Sequence, residues 1–185
     1  MTTPADISAE AALNSLREGN ERFAEGRQKP HLSPTERQTL TAGQRPWAVV
    51  VGCSDSRVPV ETVFDAGPGE LFVVRSAGHV LSEAGYVSVR YAVQALGARL
   101  IVILGHEECG AVAAARSGDA PAYLKPVTDH IHTDAATLAD AVDQHVRESA
   151  VEMREWLAAA GFIAEDVTVI GAAYQLASGE VHWLA

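Results

Sequence analysis

Disulfides, membrane spans and basic surfaces are what this sequence has least of. Its 185 residues include only two cysteines, Cys53 and Cys109. Two thiols cannot build the multi-bridge framework of a small secreted scaffold. The opening Met1-Thr2-Thr3-Pro4-Ala5-Asp6 lacks the basic and apolar regions of a secretory signal. The expectation is a cytoplasmic, reducing setting, in which the thiols need a role other than a structural disulfide. Apolar runs are short: those around Val49 to Val51 and Leu100 to Leu104 have strand length, far below the ~18 residues of a membrane helix. Lys+Arg 14 against Asp+Glu 24 leaves a net charge of −10, and no basic run forms a phosphate-binding face. Nucleic acid and anionic membrane are therefore excluded as expected partners.

What is present fits one domain of ordinary size, with 48% hydrophobic residues. A chain of this length buries about 70% of its unfolded surface, so its core does not need a metal to hold together. Ala9, Ala12, Leu13, Leu16 and Phe23 recur at helical spacing and predict an amphipathic first helix. Ser33-Pro34-Thr35-Glu36 reads as a capping box opening a second, short helix that ends at Gly43. Residues 1–43 thus form a helical arm, and 44–185 an α/β core. Trp47 to Gly52, Leu71 to Val74, Arg99 to Gly105 and Val167 to about Leu176 read as strands. The first three are apolar throughout, as in a parallel sheet covered on both faces. Helices are expected over Ser82 to Leu96 and Ala111 to Arg116, with one or two over 134–160, while Ser117 to Pro126 reads as a loop. The turn Ala177-Ser178-Gly179 leads into an antiparallel edge strand. The expected fold is α/β, with four parallel strands in the order 2-1-3-4, that edge strand, and helices on both faces.

In such sheets ligands bind beyond the carboxyl ends of the strands. Cys53 follows the first strand, and His106 and Cys109 follow the third. If those strands are neighbours, the three side chains converge on one crevice. Cys53-Ser54-Asp55-Ser56-Arg57 and His106-Glu107-Glu108-Cys109 offer two thiolates, an imidazole and a carboxylate, the donors zinc prefers. Three protein ligands with an open fourth position mark a catalytic zinc. Two plainer readings stand beside this one: both cysteines as small buried hydrophobes, or a thiol redox pair, which would not call for His106 or Asp55. The other histidines, including His31, His79, His130, His132, His145 and His182, stay outside the metal set.

These residues resemble a known family, the β-class carbonic anhydrases. C-x-D-x-R is matched by Cys53, Asp55 and Arg57, and H-x-x-C by His106 and Cys109; the similarity runs through Pro68 to Arg75 and on to the hairpin near Ala173 to Leu176. The resemblance implies reversible hydration of carbon dioxide to bicarbonate and a proton through zinc-bound hydroxide. One Zn²⁺ per subunit would be held by Cys53, His106 and Cys109. Asp55 has two possible roles: fourth ligand, or a carboxylate clamped by Arg57 that orients the attacking oxygen. In the plant-like branch Gln44 would polarise a substrate oxygen, with Phe72, Ala77 and Tyr91 lining the pocket. Gly110 would let the backbone approach, and the helix starting there would offer N–H groups to bicarbonate. The subgroup regulated through a bicarbonate pocket has tryptophan three residues before the first cysteine, where this sequence has Val50. Family members dimerise through the N-terminal helix, which implies a homodimer or a dimer of dimers. Two other functions fit the same residues: hydrolysis of carbon disulfide or carbonyl sulfide on that zinc, and a non-catalytic zinc-binding protein.

Overall fold

A computed structural model describes residues 7–29, 33–162 and 167–184. Helix α1 (Ala9–Ala24) begins where the Ser8 hydroxyl accepts the Ala11 N–H at 3.2 Å, relieving one of the first turn's orphan donors. There follow α2 (Pro34–Thr39), a 3₁₀ turn at Leu40–Ala42, β1 (Ala48–Cys53), α3 (Val60–Val63), β2 (Leu71–Ser76) and a 3₁₀ turn at Ala77–His79. Next come α4 (Glu83–Gln94), β3 (Leu100–His106), α5 (Gly110–Ser117), a 3₁₀ turn at Ala122–Leu124 and α6 (Lys125–Thr128). Helix α7 (Leu138–Ala159) and the hairpin β4 (Thr168–Tyr174) and β5 (Val181–Leu184) complete the fold. The start of the chain, His31 and the side chain of Glu36 lie outside the described residues.

One segment differs from expectation, and a second resolves to one of the two forms expected. The stretch read as a loop after α5 contains a 3₁₀ turn and α6, with Pro126 in the first turn of α6, where its missing N–H costs nothing. The span 134–160 holds one unbroken helix, opened by the Thr137 hydroxyl accepting the Asp140 N–H at 3.1 Å.

The sheet order is β2-β1-β3-β4-β5. β1 pairs in parallel with β2 and β3, β3 pairs in parallel with β4, and β4 and β5 are antiparallel. Alternate side chains of each strand feed opposite faces. Val49, Val51, Ile101 and Ile103 join Val89, Val93, Val142, Val146 and Met153 in one core layer. Ala48, Val50, Leu100, Val102 and Leu104 join Ala12, Leu16, Val60, Val63 and Phe64 in the other. The apolar stripe of α1, expected to face a partner, is therefore buried on the chain's own sheet. Helix α7 lies unusually close to β3, because a Cβ at Gly105 would stand 2.5 Å from the Val146 side chain. Among the described residues no helix is long and apolar enough to cross a membrane.

Candidate metal centre

Because β1 and β3 are parallel neighbours, with Gly52 opposite Leu104, their carboxyl ends coincide. Cys53 is the last residue of β1, His106 the last of β3, and Cys109 caps the start of α5. The turn between His106 and Cys109 passes through Glu108 at φ 53°, a left-handed conformation uncommon outside glycine. It brings the second sulfur back over the strand end. The ligand atoms of Cys53, His106 and Cys109 all lie within 4.8 Å of one another, and all three residues are buried. The two cysteines are free thiols.

The donor chemistry fits a soft, positively charged ion. His106 Nδ1 lies 2.7 Å from the Glu107 carbonyl. A carbonyl only accepts, so Nδ1 carries the proton and the Nε2 lone pair faces the sulfurs. Among the described residues Nε2 is buried without a hydrogen-bond partner, which is costly unless something else binds it. A carbonyl holding the tautomer of an imidazole whose other nitrogen is free is the usual support of a metal-bound histidine. The sulfurs are inequivalent. A hydrogen bond from Cys109 holds the Cys53 thiol well below the ordinary range, aided by backbone N–H groups of Asp55 and Gly78. Sharing that proton pushes Cys109 up.

Arg57 organises the rim. Its Nε donates to Asp55 Oδ1 at 2.9 Å and its Nη2 to Asp55 Oδ2 at 2.7 Å. The guanidinium holds the Asp55 carboxyl well below the usual carboxylate range. Nη2 also donates to the Glu108 carbonyl at 3.1 Å, tying the Cys53 loop to the His106–Cys109 turn. Asp55 Oδ2 is 3.9 Å from His106 Nε2, so the carboxylate borders the trio with both oxygens engaged by Arg57. Arg75 on β2 braces the same loop, donating to the carbonyls of Cys53 at 2.8 Å and Asp55 at 2.7 Å. Sequence reasoning gave Arg75 no role, because a lone strand arginine carries no pattern.

The other expected site residues are more dispersed. Ala77 is half-buried at the head of the turn whose next residue, Gly78, donates its N–H to Cys53 Sγ at 3.3 Å. Phe72 on β2 and Tyr91 on α4 lie with ring centroids 6.3 Å apart, and Tyr91 is 51% exposed. Gly110 opens α5, but a Cβ there would meet nothing within 4 Å, so close packing does not require glycine. Gln44 is exposed ahead of β1. Cys53 ends β1, and the five strand steps from Ala48 alone separate the two by about 16 Å at ~3.3 Å per residue. It does not reach its own subunit's site.

The carbonic anhydrase family model matches residues 48–181, which include every residue of this centre. This chain belongs to the carbonic anhydrase family. It is 43% identical over 185 residues to "Carbonic anhydrase 2" of Mycobacterium tuberculosis, covering 91% of this chain and 89% of that one. Its fold is that of the β class. A β-carbonic anhydrase of Aspergillus fumigatus superposes with a TM-score of 0.73 at 24% identity, covering 95% of this chain and 89% of that one. One of two tetrameric β-carbonic anhydrases of Sordaria macrospora gives 0.68 at 24% identity over 95% and 96%. Carbonic anhydrases are zinc lyases, and membership makes this chain a lyase of that type.

Proposed function

We propose that this chain hydrates carbon dioxide reversibly to bicarbonate and a proton at one zinc per subunit held by Cys53, His106 and Cys109. The observation that carries the reading is the buried, unpartnered Nε2 of His106 aimed between two free sulfurs. Zinc at such a site would supply the Lewis acidity that makes water nucleophilic, at higher pH than in a three-histidine site because two thiolates neutralise its charge. The chain supplies the remainder. Asp55, locked by Arg57 in its ionised form, accepts a hydrogen from the attacking water at Oδ2 and thereby aims an oxygen lone pair at the carbon. Arg57 holds that carboxylate in place through its two-pronged contact, which a lysine could not reproduce. Ala77, beside the Cys53 loop, provides apolar surface for a small, uncharged substrate, and Phe72 and Tyr91, four strand positions before the level of Cys53, would add theirs across a subunit interface. Gly110 would leave the backbone at the start of α5 open to the anionic product, while the next N–H groups, of Ala111 and Val112, support the Cys109 sulfur.

Gln44, remote from its own centre, would donate to a substrate oxygen across a subunit interface, in a homodimer or dimer of dimers. In support, fold relatives include enzymes described as tetrameric. Residues 1–185 act as one domain, and two thiolate ligands suit the reducing cytoplasm. Stopped-flow hydration with a pH indicator at pH 8.5 tests the activity. Zinc-loaded protein exceeds the buffer rate, and Cys53→Ser loses zinc and turnover together. No rate above buffer overturns the reading.

A further inference from the structure

We infer that His145, on the face of α7 turned to the sheet, is a positioning residue for the metal centre. It donates Nε2–H to the Gly78 carbonyl and so holds the Gly78 amide on the Cys53 sulfur. This inference rests on the zinc reading above and adds a residue that touches neither substrate nor metal.

The contacts form one chain. His145 Nε2 lies 2.9 Å from the Gly78 oxygen, and the Gly78 N–H lies 3.3 Å from Cys53 Sγ. A carbonyl only accepts, so Nε2 must carry its hydrogen. Gly78 is thus gripped at both ends, by an imidazole on one side and a thiolate ligand on the other. Its conformation needs holding: Gly78 has φ 61° and His79, directly after it, φ 49°. Two successive left-handed residues, the second not glycine, persist only where the surroundings enforce them. A Cβ at Gly78 would lie 3.0 Å from both Ala111 Cβ and Ile131 Cδ1, so the turn is packed against α5 as well.

The His145 ring is itself fixed. It stacks on His79 with centroids 4.3 Å apart at 23°, and the close approach of α7 at Gly105 sets its depth. Burial disfavours the charged form of His145, which keeps the donor a neutral imidazole. A hydrogen bond to a metal-bound thiolate from such a braced amide restrains the sulfur and draws charge from it. A cavity of about 120 Å³ lined by His79, His145, Ser149 and Glu152 leaves room for other side chains at position 145.

Two variants separate positioning from mere packing: His145→Gln, whose amide can still donate at that reach, and His145→Leu, which cannot. Each is loaded with cobalt(II) for the sulfur-to-metal charge-transfer band, and with zinc for release to a chromogenic chelator. In His145→Leu the band moves to lower energy and zinc leaves about 10- to 100-fold faster. His145→Gln keeps the wild-type band and a rate within about twofold of wild type. A folded His145→Leu with unmoved band and release rate overturns the inference, even if its melting temperature falls. If leucine prevents folding, the ¹¹³Cd-loaded wild type decides. Scalar coupling between cadmium and the Gly78 amide proton, with a protected His145 Nε2 proton, supports the inference, and absence of either overturns it. No charge-transfer band in the wild type would overturn the zinc reading and this inference with it.

Discussion

Arg57 and Asp55 meet through two nearly parallel hydrogen bonds, of 2.9 and 2.7 Å, and the same guanidinium reaches the Glu108 carbonyl. One side chain therefore sets both the direction of the carboxylate and the spacing of the two ligand loops. Asp55→Asn keeps the shape but loses the charge and turns a donor towards one arm of Arg57. It should lower turnover by about 10²- to 10⁴-fold while zinc content, measured by elemental analysis, stays near one per chain. Loss of zinc in that variant would instead make the carboxylate a ligand. Because Arg57 holds Asp55 well below the usual carboxylate range, its protonation cannot produce an inflection in the rate between pH 6 and 9. An inflection there that disappears in Asp55→Asn would contradict the assignment.

Metal uptake should release protons. Cys53 is held as thiolate by the hydrogen bond from Cys109, whose own proton is retained well above neutral pH. Zinc can take the second sulfur only by displacing that proton, so apparent affinity rises about tenfold per unit increase in pH for each proton displaced. Adding zinc to metal-free protein at pH 7 in a weakly buffered indicator solution should release at least one proton per site. Cys109→Ser should lose that release together with tight binding.

The ligand trio could be read from the sequence because strand ends are visible in it. Two apolar runs end at Cys53 and His106, and a parallel sheet places such ends side by side. The helix read from Ser82 was legible for the same local reason: it starts at Glu83, with the Ser82 hydroxyl accepting the Gly85 N–H. The residues that brace the centre were not. Arg75 acts on β1 from the neighbouring strand, and His145 meets Gly78 from 67 positions away. Neither lies in a periodic pattern that distinguishes it from an ordinary strand arginine or a core histidine. The stripe on α1 was visible, but periodicity reveals only that a face is buried and not against what. Here the face is covered by the chain's own α3 and sheet.

That covering has a polar pin. Asn20, buried on α1, donates Nδ2 to the carbonyls of Val63 at 3.1 Å and Gly179 at 2.8 Å, while its Oδ1 accepts the Val181 N–H at 2.8 Å. It joins the first helix to the end of α3 and to the last hairpin. Asn20→Asp retains the acceptor but sets a carboxylate oxygen against two carbonyls. Each carbonyl left unsatisfied costs about 1–3 kcal/mol. Urea denaturation should show a loss of at least that size, far more than for the same change at an exposed α1 position, Asn14→Asp. A loss under about 0.5 kcal/mol, the range of ordinary surface changes, would mean that the pin is dispensable.

His79 makes stability depend on acid in a direction that can be worked out. Its ring is buried, neither nitrogen has a hydrogen-bond partner among the described residues, and burial drives its pKa well below the ordinary histidine value. The unfolded chain protonates this histidine near pH 6.5, about the free value, while the folded chain does not. Below that pH the unfolded state binds the extra proton, so stability falls as pH falls; above it the effect levels off. The slope for one such histidine reaches about 1.4 kcal/mol per pH unit. His145, whose pKa burial also lowers, adds in the same sense. His79→Asn tolerates the left-handed backbone at φ 49° better than most residues and removes the titrating ring. Urea midpoints of zinc-loaded protein between pH 5 and 8 should show a shallower acid limb in the variant, with the two curves running parallel above pH 7. An acid limb as steep as that of the wild type would show that the folded protein already protonates His79, and the buried, neutral state assigned to it would be wrong.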